Sequence, residues 1–213
     1  MNKRKVLILN GDYSLGLEIS KLYLNKNFIV LFQYEKINNN IKKIKKKFGK
    51  NFKLIKFSFL NTEKNINKFL NTKQIKDCEI LINTISYIKF KNYKSLNFSD
   101  IIQSLKVNFY PSFYLTKTLG PLMSKKKWGR IINLSAAEPK YSKQTDYLPY
   151  FLSKHLFEFF PNENNIWAKN NVLINTIKVT GKNLKNLSSF IYFLASDQNT
   201  YISNQVIDMT NRY

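Results

Sequence analysis

Residues 6–16 read Val6-Leu7-Ile8-Leu9-Asn10-Gly11-Asp12-Tyr13-Ser14-Leu15-Gly16. Four apolar residues run into a polar, glycine-bearing turn, and a helix-length stretch follows over residues 15–24. A tight turn from strand to helix aims backbone N–H groups and the positive helix end at one spot, where a pyrophosphate fits. Gly11 and Gly16 permit close backbone approach. Taken alone, the stretch also reads as an ordinary strand-to-helix turn, so the rest of the chain decides.

Outward from this turn, short β-type runs alternate with helix-length segments. Strands are expected at residues 6–9, 28–32, 53–57, 80–82, 130–134, 172–175 and 205–208. Several are continuously apolar rather than alternating, as parallel strands buried on both faces are. Helices are expected at residues 15–24, 41–48, 63–71, 98–123, 148–169 and 187–196. This alternation predicts an α/β fold: a Rossmann-type, doubly wound, mostly parallel sheet of about seven strands, with helices on both faces. No repeat and no Pro/Gly/Ser-rich linker divides the 213 residues, so one domain spanning 1–213 is expected.

Composition excludes several chemistries. The single cysteine, Cys78, rules out an intramolecular disulfide and cysteine-rich zinc sites. One histidine, His155, argues against histidine-based metal sites and a Ser-His-Asp triad, so no metal is expected. Cys78 reads as a small buried residue and His155 as a helix-surface or interface residue. Trp128 and Trp167 read as packing groups. The formal net charge of +22 comes mostly from lysines spread along the chain beside 28 asparagines. Compositional drift explains it better than a functional positive field, and the run Lys42-Lys43-Ile44-Lys45-Lys46-Lys47 reads as a solvated helix face. A nucleic-acid role would make affinity fall steeply with salt, and no aromatic-interleaved basic motif supports one. The basic start at residues 1–5 leads into only four apolar residues, too few for a secretory signal. No apolar stretch approaches the ~18 residues of a membrane span. A cytoplasmic protein without a membrane partner is expected.

The end of the second strand, Leu31-Phe32-Gln33-Tyr34-Glu35-Lys36, is where an acidic side chain would hold the ribose 2′-hydroxyl of NAD. Tyr34 falls at that tip. Lys36, Lys42 and Lys43 stand near enough in sequence to meet a 2′-phosphate, so NADP is favoured over NAD.

The middle of the chain is more specific. Residues 108–123 read NFYPSFYLTKTLGPLM. Gly129-Arg130-Ile131-Ile132-Asn133-Leu134-Ser135 follows, then Tyr150-Phe151-Leu152-Ser153-Lys154, and residues 193–209 read FLASDQNTYISNQVIDM. Tyr150 and Lys154 are four residues apart and share one helix face. An ammonium beside a phenol favours the phenolate and lowers the Tyr pKa. Such a Tyr can give a proton to a carbonyl oxygen as hydride arrives, or remove one in reverse.

This order and spacing resembles the short-chain dehydrogenase/reductase family over nearly the whole chain. The resemblance implies hydride transfer between NADP or NAD and a small carbonyl-type substrate, in a homodimer or homotetramer. It implies that Tyr150 is the general acid/base, that Lys154 also holds the nicotinamide ribose, and that Asn108 orders a water in the proton relay. Asn83-Thr84-Ile85-Ser86 looks like the family's cofactor-supporting turn. The implied cofactor site takes in Asn10, Gly11, Ser14, Leu15, Gly16, Tyr34, Asn83, Thr84, Ile85, Lys154, Val179 and Thr180. The faces around Phe113, Tyr114, Leu115, Leu156 and Phe159 read as core plus oligomer contact.

The chain departs from the family pattern in four places. The glycine turn keeps only Gly16 in place, with Gly11 displaced by one position. The catalytic Ser position reads Ala136; Ser135 is adjacent and takes its role only if the register slips by one residue, because side chains alternate along a strand. Val179-Thr180 and Thr210-Asn211 stand where Pro-Gly and a glycine pair are usual. The link at 180–187 is too short for the customary substrate lid. A 3-oxoacyl-[acyl-carrier-protein] reductase-like enzyme, a pteridine reductase-like enzyme, and a protein that binds dinucleotide or a partner without turnover therefore all stay open.

Overall fold

The computed structural model describes residues 3–9, 14–61, 63–137, 144–159, 165–179 and 184–209. Seven strands form one sheet in the order β3-β2-β1-β4-β5-β6-β7, every pairing parallel. They are β1 (Lys5–Leu9), β2 (Ile29–Tyr34), β3 (Phe52–Lys56), β4 (Ile80–Asn83), β5 (Gly129–Ala136), β6 (Val172–Val179) and β7 (Gln205–Asp208).

The continuous apolar runs follow from burial on both faces. On one face Val6, Ile8, Phe32, Ile82 and Ile132 pack with α1 (Ser14–Asn25) and α9 (Leu184–Leu194) through Leu17, Ile19, Leu187 and Ile191. On the other, Leu7, Leu9, Leu31, Leu81 and Ile131 pack with α3 (Glu63–Leu70) and α6 (Tyr110–Lys125) through Ile66, Leu115 and Leu119. Successive residues thus serve opposite layers. The short helices α4 (Lys73–Lys76) and α8 (Asn165–Ala168) complete the connections. A Cβ on Gly120 of α6 would stand 2.4 Å from the Trp167 ring, so Trp167 is a packing group, as expected.

α2 (Asn39–Phe48) carries the lysine run. Asn38 caps it by accepting from the Ile41 N–H at 2.9 Å, and Gly49 ends it at φ +50°. Ile41 and Ile44 are buried while Lys42, Lys43, Lys46 and Lys47 are exposed, the solvated face expected. β3 forms one edge of the sheet and exposes Lys53 and Lys56.

Two helices differ from expectation. The stretch 98–123 is one helical rod, but it holds a π turn, Leu105–Phe109, between α5 (Phe98–Ser104) and α6. The Tyr110 N–H reaches back five residues to the Leu105 carbonyl. Pro111 explains it: a proline inside a helix lacks an N–H and crowds the carbonyl four residues before it, here Val107. The stretch 148–169 is not one helix. α7 (Leu148–His155) tightens into a 3₁₀ turn, Leu156–Glu158, and α8 begins only at Asn165. Pro161 lies between them and disfavours helix on its amino side.

At the amino end of the sheet Arg130 is almost wholly buried. Its guanidinium donates to the carbonyls of Gly129 and Asn171 at 2.8 Å, Asn199 at 3.0 Å and Ser196 at 3.3 Å. It also lies over the Trp128 ring, against which Arg4 packs as well. Cys78 is buried as expected, and burial pushes its thiol up to about 12.

Candidate active site

The chain leaves β1 toward β2 and β3 on one side, then returns to β4 on the other. A crevice opens where the winding reverses, at the carboxyl ends of β1 and β4. The Thr84 hydroxyl donates to the Leu9 carbonyl at 2.7 Å and ties the two ends together. Asn83, buried, accepts from the Ile85 N–H at 3.1 Å and shapes the turn that follows.

A cavity of about 700 Å³ opens here. Ser14 and Leu15 at the head of α1, residues 84–86, residues 134–137, Val179 and Leu184 line it, with Tyr147, Tyr150, Phe151 and Lys154 from the α7 side. The structure therefore gathers Ser14, Leu15, Thr84, Ile85, Tyr150, Lys154 and Val179 around one space. Gly16 is buried inside α1, where its carbonyl accepts from the Ser20 hydroxyl. Tyr34 ends β2 outside the cavity lining. Asn10, Gly11, Thr180 and the pair Thr210-Asn211 lie outside the described residues, as does the first half of the link at 180–187.

Pro149, at the start of α7, has no N–H to lose in the helix's first turn. Tyr150 and Lys154 follow one turn apart. The Tyr150 hydroxyl lies 3.3 Å from that of Ser86. Lys154 is 2% exposed, and its ammonium donates to the Ile85 carbonyl at 2.9 Å. No ion pair holds it among the described residues, and desolvation lowers its pKa to about 7.

The phenol does not behave as the Tyr-Lys pairing suggests. Burial raises the Tyr150 pKa, and the bond to Ser86 offsets part of the rise. The lowering influence comes from Ser86, since Lys154 is directed to the Ile85 carbonyl instead.

Asn108 sits in the π turn, fully buried. Its side-chain oxygen accepts from the Tyr87 N–H at 2.7 Å, and its amide nitrogen donates to the Tyr87 carbonyl at 2.9 Å. The same nitrogen reaches Ser153 at 2.9 Å and Ser104 at 3.1 Å. Ser153 in turn donates to the Tyr150 carbonyl at 2.7 Å. Asn108 therefore clamps the backbone after Ser86 to the helix that carries Tyr150 and Lys154.

Ser135 lines the same cavity as Tyr150. The β5–β6 register runs unbroken from Gly129↔Val172 to Ala136↔Val179, with no slip. The Ser135 hydroxyl donates to Glu158 at 2.8 Å, and Glu158 pairs with Lys178. The Ser135 hydroxyl is thus engaged by Glu158, while the residue itself lines the cavity. Ala136 presents only a methyl to the cavity, and its carbonyl accepts from His155 at 3.1 Å.

Sequence reading placed Ser86 in the cofactor turn and gave it no chemical role. Its neighbour Tyr150 is 64 residues away in sequence, and only the fold brings them together. Ile88, Tyr147 and Phe151 were also missed as wall residues; no local signal marks them. The segment beyond Ser86 is pinned by Asp100, buried and paired with Lys89 and Lys91, which hold its carboxyl well below the usual carboxylate range.

The donor set suits a nicotinamide dinucleotide. A buried ammonium with one backbone acceptor has N–H groups left for ribose hydroxyls, and a phenol stands one turn away. Among the described residues no cluster of metal-ligating side chains is present, and no helix is long and apolar enough to cross a membrane.

No curated protein matches the sequence. Among solved structures, the chain is similar to ElxO with NADP bound, at 16% identity and a TM-score of 0.81, covering 100% of this chain and 99% of that one. It is similar to YwfH, an NADPH dependent reductase involved in bacilysin biosynthesis, at 16% identity and a TM-score of 0.79, with 98% of each chain covered. A mutant short-chain dehydrogenase/reductase of Serratia marcescens aligns at 15% identity and a TM-score of 0.79, over 97% of this chain and 96% of that one. At such identities the likeness is one of fold. The family profile described as short chain dehydrogenase matches residues 4–183. A match of that extent places the chain in the short chain dehydrogenase family, whose members are NAD(P)-dependent oxidoreductases.

Proposed function

We propose that this chain reduces a carbonyl substrate with NADPH, with Tyr150 as the general acid. The observation that carries the reading is the presence of the Tyr150 hydroxyl and the buried Lys154 ammonium in one cavity at the β1/β4 crevice. A bound reduced nicotinamide supplies the hydride that the carbonyl carbon accepts. Tyr150 gives its proton to the carbonyl oxygen, and an alcohol results. Burial keeps that phenol protonated at neutral pH, which suits donation and hence the reducing direction. Lys154 binds ribose hydroxyls with the N–H groups that Ile85 leaves over. Ser14 and Leu15 stand at the head of α1, where a diphosphate is best placed. Lys36, Lys42 and Lys43 are exposed beyond β2 and favour the additional phosphate of NADP. The NADP-bound and NADPH-dependent relatives support the same choice.

Calorimetric titration with NADPH and NADH, at ~150 mM salt to suppress nonspecific binding to the cationic surface, should show micromolar binding of NADPH. Tyr150→Phe should keep that binding and lower reduction of a ketoacyl thioester by ~10²–10⁴. No binding of either nucleotide overturns the reading. Binding without turnover of any carbonyl supports the second reading, a dinucleotide binder without catalysis, which Ala136 favours.

Self-association belongs to the same proposal. Phe113, Leu152, Leu156 and Phe159 are exposed on α6, α7 and the turn after it, whereas Leu115 is fully buried core. Light scattering should give a multiple of the 25.2 kDa chain mass. A monomer mass at micromolar concentration overturns this part.

A further inference from the structure

We propose that Ser86 supplies the hydroxyl that orients the substrate carbonyl, replacing the side chain that Ala136 lacks. This rests on the reductase reading above. Ser86 Oγ lies 3.3 Å from Tyr150 Oη, and both line the cavity. Two hydroxyls at that spacing can each stand ~2.8 Å from one carbonyl oxygen. Two other hydroxyls of the lining point to protein partners: Ser135 donates to Glu158, and Thr84 donates to the Leu9 carbonyl.

Position 86 is also built to be rigid. On one side the Ile85 carbonyl receives Lys154, and the Ile85 N–H is held by Asn83. On the other, Asn108 grips both the N–H and the carbonyl of Tyr87. A hydroxyl fixed on both flanks needs little reorganisation as charge develops on the oxygen, which is the condition for electrostatic stabilisation. In the step, the carbonyl carbon gains a hydride, the C=O π bond opens, and the oxygen takes the Tyr150 proton. Ser86 keeps its own proton and contributes only a hydrogen bond. Without substrate, its bond to Tyr150 favours ionisation of the phenol.

The test uses the full chain, NADPH, and acetoacetyl-N-acetylcysteamine as carbonyl probe. Ser86→Ala should leave NADPH affinity unchanged and lower kcat/KM by ~10²–10³. Adding Ala136→Ser to that variant should restore most of the loss, because the hydroxyl returns from the opposite wall. Without substrate, NMR of ring-carbon-labelled tyrosine, with Tyr150→Phe for assignment, should show the Tyr150 titration moving to higher pH in Ser86→Ala. Unchanged turnover in Ser86→Ala overturns the inference while leaving the reductase reading intact. Loss of NADPH binding in Ser86→Ala also overturns it, by assigning the residue to the cofactor. A wild-type chain that binds no nucleotide, or does not turn over the thioester, overturns the reductase reading and this inference with it.

Discussion

Arg130 and Lys154 are both buried cations, one at each end of the same sheet. Arg130 reaches four backbone carbonyls and lies over an indole ring. Its pKa is lowered only to about 10, so it stays charged at neutral pH. Lys154 reaches one carbonyl, and its pKa is lowered to about 7. Burial is the first cause of both shifts. Asp197 then favours the charge of Arg130, and among the described residues nothing comparable acts on Lys154; the two also differ in how many acceptors face them. A saturated cation is a clasp: it joins β5 to the backbone near residues 171 and 196–199 and has little left to offer. An undersaturated one holds donors ready for a ligand, at a cost to the fold.

Two substitutions probe that contrast. The larger effect is expected at Arg130. Arg130→Met leaves several buried carbonyls without donors, each worth ~1–3 kcal/mol. With partial rescue by water, Tm should fall by about 10 °C for a chain of this size. Thermal unfolding by circular dichroism measures it, and NADPH affinity of the folded variant should be unchanged. A small fall in Tm would mean that the carbonyls find other partners and that Arg130 is no clasp.

The smaller and opposite effect is expected at Lys154. An unfolded lysine titrates near 10.5, and this one near 7 in the folded chain. Between those values the unfolded chain holds a proton that the folded chain does not, so this group makes stability rise with pH from about 7 to 10.5. Below pH 7 its penalty is complete. Lys154→Met should therefore raise Tm by a few degrees at pH 7 and flatten the slope of stability against pH, while weakening NADPH binding. The difference between wild type and variant, measured from pH 7 to 10, isolates this group from the other lysines. A variant less stable at pH 7 would show that Lys154 is a clasp after all.

Much of the architecture was legible in the sequence because burial on both faces leaves a plain mark. Runs such as Val6–Leu9 and Ile80–Ile82 need no partner to be recognised as strands. Tyr150 and Lys154 were legible for a related reason, since their spacing is local to one helix. The break after His155 and the π turn were not read, although Pro161 and Pro111 carried the signal; a proline's effect depends on where in the helix it falls. Ser86 and Ser135 show the other limit. The bond of Ser86 to Tyr150 and that of Ser135 to Glu158 span 64 and 23 residues, distances set only by closure of the sheet. Nothing local to either serine says which hydroxyl reaches the cavity.

The strand at the sheet's margin has a consequence beyond the site. Among the described residues β3 pairs with β2 alone, so its outer backbone groups are a template for any other extended chain. Lys53 and Lys56 stand exposed along it, near the charged face of α2. A second copy approaching that margin meets the same charge and must desolvate ammonium groups to dock. The lysines thus act as a barrier to edge-to-edge fibril growth, and replacing both with threonine would open the margin to runaway polymerisation.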